Sequence, residues 1–144
     1  MAIHDPAVVA LHRYYIWANR MRSHFDDLLQ AKDVEQERRE IESFLYMSYW
    51  YAGLYVVIEG WRELGLSEPT IDELLRSPNV ELLRRYRHGV FHFQRDYFDD
   101  RFLAFMTKGA NTVDWVRDLT LNLGRYFLQR FDPAAYGALR GVDQ

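Results

Sequence analysis

At 144 residues, 49% of them hydrophobic and 16% aromatic, the chain predicts a single domain over 1–144 with a large core, a self-association surface, or both. A net charge of −3 excludes a protein that coats nucleic acid through a broad basic face, though not one with a local site. The absence of cysteine excludes disulfides and thiolate metal ligation, and fits a reducing cytoplasm.

The start, Met1-Ala2-Ile3-His4-Asp5-Pro6, lacks the basic beginning and apolar run of a signal peptide. Asp5-Pro6 predicts a helix start, with a capping side chain followed by proline in the first turn. Val8, Leu11, Tyr15, Ala18, Phe25 and Leu29 then recur at three- and four-residue steps, the pattern of an amphipathic helix. His4, His12 and His24 are expected at its surface. The piece Tyr14-Tyr15-Ile16-Trp17-Ala18-Asn19-Arg20 is similar to the first helix of DinB-like four-helix metalloproteins. That family also needs a histidine in the second helix, and here there is none.

A second, long helix is expected from Asp33 to about Leu64. Its beginning, Val34 to Glu40, is charged; from Phe44 to Trp61 it is apolar nearly all round. Phe44, Met47, Tyr51, Leu54, Ile58 and Trp61 form one stripe, and Tyr46, Trp50, Gly53 and Val57 another. A helix without a polar face is buried, inside a bundle or between subunits. Ser48, Gly53, Gly60 and Glu59 interrupt a run already too short for a bilayer, so no membrane span is expected. Glu59, among Val57, Ile58 and Trp61, either reaches solvent at the helix end or pairs with an arginine in the core; Arg87 is the partner to expect.

Gly65 to Pro69 is a break. Thr70-Ile71-Asp72-Glu73 reads as a capping box opening a short helix with Leu74 and Leu75. Ser77-Pro78 starts the next helix. Phe91, Phe98, Phe102 and Phe105 make a further apolar stripe closed by Lys108-Gly109, and one bent helix or two would satisfy it. Asn111 or Thr112 caps a final helix with Val116, Leu119, Leu123, Tyr126 and Phe127 inward. Asp132-Pro133 ends it, and the tail from about 134 to 144 is expected to be loosely held. The whole predicts an all-α, antiparallel bundle of four to five helices around the long apolar second helix. There is no phosphate loop, nucleophile elbow or dinucleotide fingerprint, and no cofactor is implied.

Chemistry-bearing residues concentrate in Leu82-Leu83-Arg84-Arg85-Tyr86-Arg87-His88-Gly89-Val90-Phe91-His92-Phe93-Gln94. Histidine titrates near neutrality and moves protons. Arginine presents a planar fork of donors that suits phosphate oxygens. Four residues separate Arg87 from His92, with the polar His88 directly after the arginine. On an ideal helix positions five apart lie about 140° apart, so Gly89 is expected to kink or end the helix between them.

This pattern resembles the Arg-polar-x(3–5)-His signature of the HEPN family, small all-helical proteins that include metal-independent ribonucleases. The resemblance implies a homodimer, formed here through the aromatic second helix, with paired motifs in a shared cleft. His92 would move protons, Arg87 would stabilise phosphate charge and His88 would orient or support. RNA is the implied partner, with no DNA and no membrane. The family also contains non-catalytic members. Two other readings stand beside it. In one, the histidines are satisfied core residues, the arginines pair with acids such as Asp96 and Asp99, and the protein is a dimeric scaffold. In the other, His88, His92 and Asp96, at four-residue steps, hold a metal ion.

Overall fold

The computed structural model describes residues 5–134 and 137, and among them every regular element is an α-helix. In chain order these are α1 (Pro6–Gln30), α2 (Gln36–Glu63), α3 (Pro69–Leu74), α4 (Asn79–Phe91), α5 (Asp100–Lys108) and α6 (Thr112–Gln129). Six helices thus stand among the described residues where four to five are expected. The short α3 is separate, and the motif and the stripe after it divide into α4 and α5. The tail beyond Ala134, Gly137 excepted, and His4 lie outside the described residues. No described helix is long and apolar enough to cross a membrane.

Local chemistry sets the helix starts. The Asp5 carboxylate accepts from the Ala7 N–H at 2.8 Å and Pro6 occupies the first turn. The cap of α3 is Glu68, which accepts from Ile71 N–H at 2.9 Å, and not Thr70: Pro69 in the first turn draws the start forward. Asn111 precedes α6 in a left-handed conformation (φ 48°) and makes no side-chain cap bond. Asparagine tolerates that region better than most residues.

Packing then selects which faces are covered. Trp50, Leu54, Val57, Ile58 and Trp61 of α2 are each 2% exposed or less. They meet Leu83 and Tyr86 of α4, Phe105 of α5, and Leu119, Leu123 and Phe127 of α6. Burial of one such side chain contributes roughly 1.5–3 kcal/mol. The polar tips of the buried aromatics are satisfied across elements. Trp50 Nε1 donates to Thr120 Oγ1 at 3.2 Å, Tyr15 donates to the Thr120 carbonyl at 3.0 Å, and Tyr86 shares a 3.0 Å bond with Ser48. Asn79, buried at the start of α4, donates to the Ala110 carbonyl at 2.8 Å and accepts from its N–H at 3.0 Å. It clamps the α5–α6 turn onto α4. Where α1 crosses α2, a Cβ on Gly53 would stand 3.1 Å from the Ala18 Cβ, so small residues set that approach.

The early part of α2 is not covered in the same way: Ile41, Leu45 and Tyr49 are exposed. In α1, Leu28 is buried and Leu29 half exposed, one position off the expected stripe. Phe102 and Phe105 face inward, but Phe91 and Phe98 do not (55% and 62% exposed), because the helix ends between them and the phase of the stripe is lost.

His12 corrects another expectation. It is buried, its ring 4.7 Å from that of Phe127 and nearly parallel to it. Desolvation lowers its pKa below the ordinary 6.5. The unfolded chain therefore takes up a proton before the folded one, and stability falls as pH drops through about 6.5. Thermal unfolding at about pH 7.5 and about pH 5.5 is expected to show a larger loss of Tm for the wild type than for His12→Phe. The variant keeps a ring against Phe127 but has no titrating nitrogen. Equal losses would assign the acid sensitivity to other groups.

Candidate functional site

The motif occupies α4 and its end. Ser77 Oγ accepts from Asn79 N–H at 3.1 Å, and Glu81 lies in the first turn, its sign suited to the helix dipole; His88 lies in the last turn. Val80, Leu83 and Tyr86 turn inward. Gly89 does not kink the helix, which continues to Phe91. Its function is close approach: a Cβ there would lie 3.1 Å from the Phe102 ring and 3.2 Å from Arg101 Cβ, where α5 packs. His92 is the C-cap, extended at φ −119° and ψ 130°, with its N–H donating to the His88 carbonyl at 3.0 Å.

This termination brings the two histidine rings together, stacked at 4.2 Å between centroids. Both side chains are exposed. His88 titrates below the ordinary histidine value, through desolvation first and then the positive charges of His92, Arg101, Arg84 and Arg87. The nearby cations thus disfavour a charge on His88.

Arg87 is braced from two directions. Its Nη1 donates to Glu59 Oε1 at 2.8 Å, and its guanidinium lies 4.9 Å from the centre of the Tyr55 ring. The expected Glu59–Arg87 pair exists, but the two side chains are 47% and 31% exposed, so it lies at the surface and not in a dry core. Glu59→Gln is accordingly expected to lower stability by less than about 1 kcal/mol in thermal unfolding. A loss of several kcal/mol would show a desolvated pair instead.

Other expectations fare differently. Asp96 sits in the connection between α4 and α5, so it does not extend the helical row of His88 and His92. Among the described residues no group of three or more His, Cys, Asp or Glu side chains is placed to hold a metal ion. The basic run is largely balanced by acids: Arg84 pairs with Glu81 at 2.6 Å and Arg85 with Asp100 at 3.0 Å. Asp99 caps α5, accepting from Arg101 N–H at 2.9 Å, and pairs with the Arg101 guanidinium.

Sequence reasoning missed three contributors. Tyr55 lies four residues before Glu59 on α2, a spacing that places both on one face and is legible in hindsight. Gln94 donates to the His92 carbonyl at 2.8 Å and accepts from Arg101 at 2.9 Å, tethering the chain just after the cap to α5. Arg101 had no signal except that Asp99 is a good helix cap. Around these groups lie exposed aromatics: Phe93 at 90%, Tyr97 at 61%, and Phe91, Phe98 and Tyr49. An open groove of about 290 Å³ runs beside them, walled by Ile41, Leu45, Tyr49, Val90 and Tyr97. No family model, no curated protein and no solved structure matches the chain.

Proposed function

We propose that the protein is a HEPN-like, metal-independent endoribonuclease acting through Arg87 and His92. The observation that supports it is the stacked His88–His92 pair at the exposed end of the helix that carries Arg87, itself braced by Glu59 and Tyr55. In this reading the RNA 2′-oxygen attacks the adjacent phosphorus and the P–O5′ bond breaks. His92 takes the 2′-hydroxyl proton and returns one to the departing 5′-oxygen, leaving a 2′,3′-cyclic phosphate and a 5′-hydroxyl. Arg87 neutralises charge growing on the non-bridging oxygens. His88, stacked on His92, holds that ring in place. DNA lacks the attacking hydroxyl and would not be a substrate.

The same reading has the helices as an antiparallel bundle around α2, in the cytoplasm, dimerising so that two motifs share a cleft. The exposed apolar residues Ile41, Leu45, Tyr49, Phe91 and Phe93 beside the motif support such an interface. A non-catalytic dimeric scaffold is the second reading, favoured by the fact that Arg84, Arg85 and Arg87 already have carboxylate partners.

The deciding experiment incubates purified protein with single-stranded RNA in EDTA and analyses the ends of the products, with light scattering at micromolar concentration in parallel. A dimer that leaves cyclic phosphate ends on RNA, and spares a substrate with deoxyribose at the cleaved position, is the expected result. A monomer would remove the composite cleft. A dimer inert on every RNA would leave the scaffold.

A further inference from the structure

A second concave feature, a cleft of about 730 Å³ between α1 and α6, shares no residue with the α4 site. That size falls within the usual range of small-molecule sites. Apolar side chains that remain open to solvent form part of its wall: Ile16 at 46%, Leu121 at 52% and Leu128 at 75% exposed. Three arginines, Arg22, Arg117 and Arg125, also line it, and among the described residues no acidic one does. In a chain of net charge −3 that is a local reversal of sign.

The cations are not equivalent. Asp26 bridges two of them, accepting from Arg22 at 2.7 Å on one oxygen and from Arg117 at 2.7 Å on the other. One carboxylate against two guanidiniums leaves a single positive charge, held rigidly because Arg117 also lies over the Trp50 ring at 5.3 Å. Arg22 is fixed further by a 2.7 Å bond to Asn19. Arg125, exposed, has no carboxylate partner among the described residues. Among the described residues the cleft therefore offers one guanidinium without a carboxylate partner, one half-compensated cationic pair and a wet apolar wall.

We propose that this cleft binds an amphipathic monoanion, a carboxylate on an unbranched apolar chain. The carboxylate lies against Arg125 and is attracted by the Arg22–Asp26–Arg117 cluster; the chain covers Ile16, Leu121 and Leu128. A neutral ligand of the same shape would leave Arg125 uncompensated, and a cationic one would be repelled. A dianion exceeds what one free guanidinium neutralises, since the other two share Asp26.

The full chain is titrated with decanoate below its micelle concentration by calorimetry, with decan-1-ol and decyltrimethylammonium as comparisons. Saturable binding of one decanoate per chain is expected, with Kd between about 10 µM and 1 mM, and weaker or no binding of the other two. Arg125→Glu should weaken decanoate binding about tenfold or more, through loss of a charge-assisted bond and reversal of its sign. Leu128→Asp should weaken it too, while both variants, being at exposed positions, keep wild-type helicity. No saturation, equal binding of decan-1-ol, or decanoate binding unchanged in Arg125→Glu would each overturn the proposal. RNA cleavage has no part in this readout, so the two proposals stand or fall separately.

Discussion

In the proposed ribonuclease reading, replacing His92 with alanine is expected to slow RNA cleavage by about two to four orders of magnitude, the usual contribution of a positioned proton-transfer group. Arg87→Ala should lower it by about 10²–10³, as removal of one preorganised donor to transition-state charge does elsewhere. Each factor of ten corresponds to about 1.4 kcal/mol of activation free energy. His88→Ala should matter less, about tenfold, since in that reading the ring stacked on His92 supports it and does not itself carry the proton. Arg87→Lys keeps the charge and loses the fork, and is expected to recover only part of the rate.

The controls favour a clean result. Arg87 and His92 are not core residues, and the Glu59 pair is solvent-exposed, so these variants should unfold within about 1 kcal/mol of wild type. Single-turnover cleavage with EDTA, read beside thermal unfolding, separates loss of chemistry from loss of fold. Cleavage that survives both alanine substitutions would place the activity in another site or another protein.

Trp50→Ala carries the largest expected effect on stability, a loss of about 3–5 kcal/mol. Trp50 is 1% exposed, touches the rings of Phe25 and Tyr51, and donates from Nε1 to Thr120 Oγ1 at 3.2 Å. Alanine removes most of that volume at the point where α1, α2 and α6 converge, and the rigid neighbours close the gap only in part. At roughly 2–4 °C per kcal/mol for a domain of this size, the midpoint should fall by about 6–20 °C. Trp50→Phe should lose less, because a ring remains and Thr120 keeps its 2.7 Å bond to the Val116 carbonyl. Denaturant unfolding of both variants checks the ranking; a Trp50→Ala loss below about 1 kcal/mol would mean that the site collapses freely.

Several features of this protein follow from neighbouring residues alone. Asp5-Pro6 opens α1, Ser77 opens α4, Lys108-Gly109 closes α5, and Val116, Leu119, Leu123 and Phe127 turn inward on α6. Caps and helical phase are settled within a turn or two, so a local reading reaches them. Glu59 and Arg87 are partners as expected, but at the surface, where the reasoning from an acid among apolar residues had placed the pair in the core.

Tertiary structure decided the rest. His12 looks like a surface histidine until Phe127, far along the chain, comes to lie against its ring. Phe91 and Phe98 share a period with Phe102 and Phe105, yet the end of α4 between them turns the first two to solvent. The apolar character of α2 on every side could not say that its later turns would be covered while Ile41, Leu45 and Tyr49 stayed open. The Glu59–Arg87 pair sits in water and not in the core because no element closes over it. Periodicity reports which face of a helix can be buried; which part of that face is buried depends on the length and crossing of its partners, and those are fixed only when the helices pack.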